Sequence, residues 1–176
     1  MSLRPAAVLV AVLAAALACD AGLEPEPICA RALIGVCGTA RFTGTPPAAT
    51  EAVYIVAFPT YPQSCADLLA LPPRFQPFPP VPLPRPYVDS AAYSVPLAAD
   101  RYAWLVAVWK KPGTPTFSID DTTLFRVAGA YPDSSNPAQP GVVTVPAGSA
   151  VPHIDLVVAF DNLRPVTAIF GTCTAR

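Results

Sequence analysis

The side chains that could carry out acid–base, nucleophilic or metal chemistry in this chain are few and scattered. The single histidine, His153, lies two residues from Asp155 on a predicted strand, where neighbours on one face are about 7 Å apart, too far for the hydrogen bond of a Ser-His-Asp triad. The pairs at 120–121 and 161–162 could offer oxygen ligands to calcium, but they lack EF-hand spacing, and turn formation is a commoner role of Asp. The sequence therefore predicts no catalytic residues, no metal site, no cofactor and no enzyme activity.

The amino-terminal residues predict export. Arg4 is followed by an apolar run over residues 5–18, and the run ends in Ala-Leu-Ala-Cys at Cys19. A short positive start, a short apolar stretch and small residues before the cleavage point are the parts of a secretion signal. The pattern resembles a bacterial lipoprotein signal peptide, which implies removal of residues 1–18 and a lipid on Cys19 that holds the protein to a membrane of the cell envelope. Ordinary cleavage after Ala18, which leaves a secreted chain, is the alternative.

The other four cysteines predict two disulfides, because they are even in number and the export signal predicts an oxidising compartment. They are Cys29, Cys37, Cys65 and Cys173. Three pairings are possible, and we favour Cys29 with Cys37 and Cys65 with Cys173. No two of them have C-x-x-C spacing, and one histidine cannot complete a Cys/His cluster, so a metal or redox site is not predicted.

Composition narrows the classes of function. The net charge of −1 is spread without runs, so the chain lacks the basic face that binding to nucleic acid requires. The adjacent Lys110 and Lys111 precede Pro112 and are interpreted as a solvated strand end. No apolar run after Cys19 reaches the roughly 18 to 20 residues that span a bilayer, which predicts no second membrane segment.

The residues after the signal predict one domain built of strands. Apolar stretches rich in Val, Ile, Tyr, Phe and Trp are cut by Pro and Gly. Seven candidate strands cover residues 38–43, 52–58, 92–97, 102–109, 123–130, 142–145 and 153–160. The predicted fold class is all-β, a seven-stranded antiparallel β-sandwich over residues 37–164, with a cysteine-containing tether at 19–36 before it and a carboxyl-terminal segment at 165–176 after it.

The hydrophobic pattern assigns faces to these strands. Apolar residues at the even positions of 154–160 predict one buried face, and the odd positions from His153 onward form the other. The segments 53–58 and 102–109 are apolar on both faces, so we expect them to be central or covered by loops. Trp104 and Trp109 then lie on opposite faces.

Two stretches make the order of the elements recognisable. Residues 93–107 read Tyr-Ser-Val-Pro-Leu-Ala-Ala-Asp-Arg-Tyr-Ala-Trp-Leu-Val-Ala, and residues 142–158 contain Val-Thr-Val-Pro-Ala-Gly before the last strand. Over roughly residues 37–162 the chain resembles a transthyretin-like sandwich of the carboxypeptidase regulatory-domain type, with Asp100 where that family usually has Gly.

The resemblance implies a fold and no chemistry. Family members that hydrolyse a urate-derived product carry several catalytic histidines and a terminal Tyr-Arg-Gly-Ser, and this chain has neither. Other members stabilise a neighbouring domain, bind glycan or contact partner proteins.

Residues 71–86 contain eight prolines, interleaved with Arg74, Phe75, Phe78 and Arg85. Such density favours a polyproline II conformation. One hypothesis is a preformed docking arm whose two arginines and two phenylalanines contact an envelope protein. The other is a stiff connection laid across the sandwich, with both phenylalanines covering its core, and we favour this second interpretation.

The predicted function is therefore that of a non-catalytic envelope lipoprotein with a structural or protein-interaction role, held to the membrane through Cys19. The alternative is a ligand-binding module, with glycan as the expected ligand. That alternative predicts Tyr or Trp side chains exposed at one end of the sandwich beside polar loops such as 131–141.

Overall fold

The computed structural model describes residues 29–30, 32–68, 70, 72–113 and 123–171. The signal sequence with Cys19, the acidic pair at 120–121 and Cys173 lie outside these residues. The described chain is mostly β, which confirms the predicted class at this level. Its two α-helices are short, α1 (Cys65–Leu68) and α2 (Val166–Phe170), and no described helix is long and apolar enough to cross a membrane.

Ten strands are formed by the described residues. They are β1 (Gly35–Thr43), β2 (Ala52–Phe58), β3 (Ser90–Pro96), β4 (Asp100–Tyr102), β5 (Trp104–Lys110), β6 (Phe125–Ala130), β7 (Val143–Val145), β8 (Ala150–Val151), β9 (Leu156–Ala159) and β10 (Arg164–Pro165). The first sheet has β1 between β3 on one side and β8 and β9 on the other. The second sheet has the order β10-β6-β5-β2, and β4 and β7 form a two-stranded ribbon.

The strand count and the purely antiparallel arrangement differ from the prediction. Both β8 and β9 pair with β1 in parallel. Alternation along a strand determines which side chains are buried, but it carries no information about the direction of the neighbouring strand. The extra strands β4, β8 and β10 have only two or three residues each, too few for a hydrophobic pattern to mark them.

The last predicted strand is shorter in the structure. His153 has a φ of 60°, which interrupts the extended backbone, so β9 begins only at Leu156, and a 3-10 helix begins at Phe160. A Cβ on Gly38 would lie 2.3 Å from the carbonyl oxygen of Ile154. Only glycine therefore lets β1 pass this close to the segment before β9.

The main core lies between the two four-stranded sheets, since both contribute side chains to one cluster. Along β5, Leu105, Ala107 and Trp109 belong to this cluster. Trp104 and Val106 belong to a second cluster on the outer face of the same sheet. The prediction that the two tryptophans lie on opposite faces is confirmed, as is the burial of the even positions of 154–160.

Residues 72–86 cover the free edge of β2, which is an edge strand of the second sheet. Gln76 and Ala57 exchange two backbone hydrogen bonds of 2.8 Å, and the Leu83 amide donates to the Val53 carbonyl at 2.8 Å. These bonds satisfy part of the free edge of β2, which would otherwise be open to another chain. Segments 53–58 and 102–109 were expected to be central or covered by loops. The first is covered by the proline-rich segment, and β5, which forms most of the second, is central in its sheet.

Candidate ligand-binding groove

A groove lies on the outer face of the second sheet, and we call it the sheet groove. Its volume is about 360 Å³. Its floor consists of alternate side chains of β2, β5 and β6, because successive residues of a strand point to opposite faces. The floor residues are Tyr54, Val56, Phe58, Trp104, Val106, Val108, Phe125 and Val127. The walls are Phe75, Phe78, Pro79 and Pro80 beside β2, and Leu68 and Val166 from the two helices.

A row of aromatic rings crosses the groove. The ring centroids are 5.9 Å apart for Phe78 and Phe75, 5.8 Å for Phe75 and Phe58, and 5.4 Å for Phe58 and Trp104. Trp104 also meets Phe170 of α2 edge to face at 5.9 Å. These spacings fall within the range in which aromatic pairs stabilise each other, so the row forms a well-defined apolar surface. Phe58, Phe75 and Trp104 are buried, and Phe78 is 57% exposed.

One end of the groove is polar and contains Lys110, Glu51 and Tyr54. Antiparallel pairing of β2 with β5 places Ala52 opposite Lys110, which brings Glu51 next to the lysine. The Lys110 side chain is only 3% exposed, and its ammonium donates to Glu51 Oε2 at 2.5 Å. It also donates to the carbonyls of Lys111 at 3.4 Å and Gly113 at 3.2 Å. The interpretation of Lys110 as a solvated strand end was therefore wrong.

The ion pair changes the acidity of its neighbours. The hydrogen bond from Lys110 lowers the pKa of the Glu51 carboxyl, with further lowering by the charge of Lys110 and by a backbone hydrogen bond from Gly113. Partial burial raises the pKa of the Tyr54 hydroxyl, and the negative charge of Glu51 raises it further. At neutral pH this end of the groove therefore holds a charged carboxylate beside a protonated phenol.

The two-residue alternation along β5 was the sequence signal that could have predicted the burial of Lys110. Residues 104, 106, 108 and 110 occupy one face of the strand, and the first three are apolar. A lysine that continues such an apolar face is placed against the same covered surface. The groove itself had no sequence signal, because its walls come from segments far apart in the chain.

The four candidate partner-binding side chains of the proline-rich segment have different surroundings. Phe75 is buried in the outer cluster. Arg74 forms an ion pair of 3.0 Å with Asp67 while staying 61% exposed. Arg85 donates to the carbonyl of Thr50 at 3.1 Å and to that of Glu51. These contacts support the stiff-connection interpretation, and Phe75 is not accessible to a partner in this conformation.

The cysteines follow the favoured pairing where the structure describes them. Cys29 and Cys37 form a disulfide. Cys65 is also disulfide-bonded, but its partner lies outside the described residues. Its sulfur is 3.8 Å from the carbonyl oxygen of Gly171, and its side chain packs with Phe125 and Val166 at the helical wall of the groove. The disulfide at Cys65 therefore lies against the residues that form the helical wall.

The candidate His153 and Asp155 pair is engaged otherwise. The carboxylate of Asp155 accepts a hydrogen bond of 2.7 Å from the Thr39 amide, which ties the segment before β9 to β1. His153 is exposed. Among the described residues, no group of three or more His, Cys, Asp or Glu side chains could hold a metal ion.

A second groove, the loop groove, lies between the 131–141 loop, the end of β6 and the residues before α2. Its volume is about 590 Å³. Tyr61 and Tyr131 line it together with Gln139, Asn162 and Arg164. Tyr61 is 38% exposed, and the three polar side chains are exposed. This arrangement combines aromatic rings with planar hydrogen-bonding groups.

Known proteins add no family assignment. No family model, curated protein or solved structure matches the chain. The functional proposals therefore rest on the sequence and on the geometry of the two grooves.

Proposed function

We propose that this protein is a non-catalytic lipoprotein of the cell envelope whose β-domain binds a small apolar ligand in the sheet groove. The anchor is supported by the apolar run at 5–18 that ends at Cys19. Lipoprotein-type acylation supplies more than one chain, which is what stable attachment to a membrane requires. Intact mass of membrane-extracted protein, beside a Cys19→Ala variant, tests the anchor. We expect acyl mass that the variant lacks, and an unmodified mature chain contradicts the proposal.

For the fold, we propose a transthyretin-like β-sandwich. The support is the single core shared by two four-stranded sheets and the order of β3, β4 and β5 along residues 93–107. The parallel pairing of β8 and β9 with β1 departs from a purely antiparallel, seven-stranded version. An experimentally determined structure in which the two sheets do not pack face to face would contradict this assignment.

The observation that carries ligand binding is the sheet groove itself. Small-molecule sites are concave, largely apolar and commonly about 300 to 1,000 Å³ in volume, with a few placed polar groups. The sheet groove has about 360 Å³, a floor of aromatic and aliphatic side chains, and polar groups at one end. The partner-docking hypothesis has less support, because Phe75 is buried and both arginines of the proline-rich segment bond within the chain.

The two tryptophans provide a direct assay. Trp104 lines both grooves, and Trp109 lies in the inner core, so a Trp109→Phe background leaves one reporter of binding. Val108 lines the sheet groove and not the loop groove, so a change at Val108 assigns the binding to one of them. We expect a neutral naphthylamine dye to change Trp104 emission on binding. The larger side chain in Val108→Phe should fill part of the groove above its floor. We expect it to weaken dye binding at least about tenfold, which corresponds to a loss of roughly 1.4 kcal/mol of binding free energy.

The matched control is Val142→Phe, because Val142 is 44% exposed and does not line the groove. Thermal melting of each variant shows whether the fold is kept. Equal dye affinity in folded Val108→Phe and Val142→Phe proteins would contradict binding in the sheet groove.

Glycan binding at the loop groove is the second candidate function. It is favoured by the combination of Tyr61 and Tyr131 with Gln139, Asn162 and Arg164. Sugar rings present apolar faces to aromatic rings and hydroxyls to planar polar groups, and the three polar side chains can donate and accept such bonds. Calorimetry with tetrasaccharides of glucose and of N-acetylglucosamine tests this, with Tyr131→Ala and Gln139→Ala expected to abolish any binding seen. No heat with any of these sugars contradicts it.

A further inference from the structure

The ammonium at the polar end of the sheet groove has no donor left for a ligand. A lysine ammonium carries three N–H donors. In this structure Lys110 Nζ has three acceptors, Glu51 Oε2, the Lys111 carbonyl and the Gly113 carbonyl. The side chain is 3% exposed, so neither water nor a ligand replaces these partners easily. Arg126 also lines the groove, but it lies opposite Trp109, whose side chain faces the inner core, so the Arg126 side chain leaves the sheet on that other face. An anionic head group would therefore find no free donor on Lys110.

The carboxylate at the same end keeps acceptor capacity. An ionised carboxylate has about four lone-pair sites, and the contacts from Lys110 and the Gly113 amide account for two of them. The Glu51 side chain is 39% exposed and lines the groove. Tyr54 also lines the groove, its hydroxyl lies within electrostatic reach of Glu51, and it can accept a hydrogen bond. What this end offers a ligand is therefore mainly acceptor oxygens, one set of them charged.

We propose that the sheet groove selects ligands with an apolar body and a donor head group, above all a primary ammonium, which bonds to Glu51 and Tyr54. This inference rests on the proposed binding of apolar ligands in the groove. The apolar body lies along Trp104, Val106 and Phe75, and the head group reaches the carboxylate. Hydrogen bonds between charged groups are about twice as strong as neutral ones, so an ammonium gains most from this site. A carboxylate head would face the charge of Glu51, and Lys110 has no free donor to offset that charge.

Displacement of the neutral naphthylamine dye by octylamine, octanol and octanoate tests the selectivity at neutral pH. The three compounds share one apolar chain and differ in the head group. We expect octylamine to displace the dye at a concentration about tenfold lower than octanoate, with octanol between them. In Glu51→Gln the preference for octylamine should be lost, because the negative charge that favours the ammonium is gone.

Two further variants separate recognition from folding. Glu51→Gln leaves Lys110 buried without its charged partner, so the double variant Glu51→Gln with Lys110→Met removes both charges and should show the same loss of selectivity. Asp100→Asn removes one exposed carboxylate that does not line the groove, and it should keep the wild-type order.

The failures are distinguishable. If the dye binds in the groove but octanoate displaces it as well as octylamine does, the head-group inference is overturned and binding of apolar ligands stands. If selectivity for octylamine survives in the double variant, Glu51 is not its source and the inference is also overturned. If the dye does not report on Trp104 at all, the proposed function itself fails, and the inference fails with it.

Discussion

At the scale of single residues, the ion pair between Lys110 and Glu51 shows how burial changes the role of a charged side chain. Lys110 Nζ lies 2.5 Å from Glu51 Oε2, at a position where β2 begins its pairing with β5. The pair connects β2 with β5, and Lys110 also bonds to the carbonyls of Lys111 and Gly113 after β5. The same pair provides the polar end of the groove. Removal of one partner affects all three.

The lowered pKa of Glu51 predicts a pH dependence of stability. Its folded-state pKa lies below the ordinary value of 4.5, so the folded protein binds this proton less readily than the unfolded chain. The stabilising contribution is present above 4.5 and is lost as the pH falls through the lowered folded value. Melting temperature should therefore fall more steeply on acidification in the wild type than in Glu51→Gln. Asp133, whose pKa is lowered by Ser135, acts equally in both proteins, and identical slopes would contradict the prediction.

Phe75 and Phe78 should respond differently to truncation, although they are close in sequence. Phe75 is 7% exposed and packs on Phe58, whereas Phe78 is 57% exposed. We expect Phe75→Ala to lower the free energy of unfolding by about 3 kcal/mol and Phe78→Ala by less than about 1 kcal/mol. Urea unfolding of both variants measures this. Phe78→Ala is accordingly the cleaner variant for co-purification of a partner, and equal losses of stability would contradict the burial difference.

At the scale of elements, the proline-rich segment acts as the cover of a strand edge. Gln76 pairs with Ala57 through its backbone, and its side-chain oxygen accepts from the Tyr102 hydroxyl at 3.0 Å and the Ala98 amide at 3.1 Å. One residue thus connects the segment to β2, to β4 and to the chain after β3. The many prolines make the segment stiff. The non-proline residues Gln76 and Leu83 attach it to β2 through their backbone amides.

Replacement of Gln76 by Ala tests this connection. The variant keeps the backbone pairing with Ala57 and loses two side-chain hydrogen bonds, which should cost about 1 to 3 kcal/mol of unfolding free energy. Gln139→Ala is the control, since Gln139 is exposed. Chemical denaturation gives both values, and a loss no larger than that of the control would show that the side chain does not hold the segment.

At the scale of the whole molecule, two short helices beside a disulfide and the outer face of a sheet combine to form the sheet groove. Cys65 packs with Phe125 of β6 and Val166 of α2, and the sulfur lies beside the Gly171 carbonyl. The helical wall of the groove therefore lies beside a bond of the kind that persists in oxidising compartments. The Cys29–Cys37 bond, in contrast, includes Cys37 of β1, which belongs to the other four-stranded sheet.

The two disulfides predict separable effects on ligand binding. Cys65→Ala should lower the melting temperature and weaken dye binding in the sheet groove, because the wall formed by the helices loses its cross-link. A double variant with Cys29→Ala and Cys37→Ala should lower stability while leaving dye affinity unchanged. Dye titration below each melting temperature measures both. Equal dye affinity in all three proteins would contradict a role of Cys65 in the wall.

Much of the secondary structure was predictable because it follows from local chemistry. Residues 52–58 form β2 as predicted, and alternation along 154–160 identified the buried face of β9 and of the residues next to it. The opposite orientation of Trp104 and Trp109 follows from strand geometry alone. The short strands and the parallel pairing with β1 escaped prediction, since two-residue pairings and strand direction leave no periodic signal.

The sequence by itself determined the β-rich class, the faces of the long strands and the candidate disulfide cysteines, because side-chain alternation and residue type are local properties. Tertiary structure alone decided that Lys110 is buried, that Phe75 is core and Phe78 is not, and that β2 is covered by a proline-rich segment. Tertiary structure also creates the sheet groove, because its walls come from residues 68, 75–80 and 166. A concave surface is formed by segments distant in the chain, and their relative placement depends on packing, which no local pattern encodes.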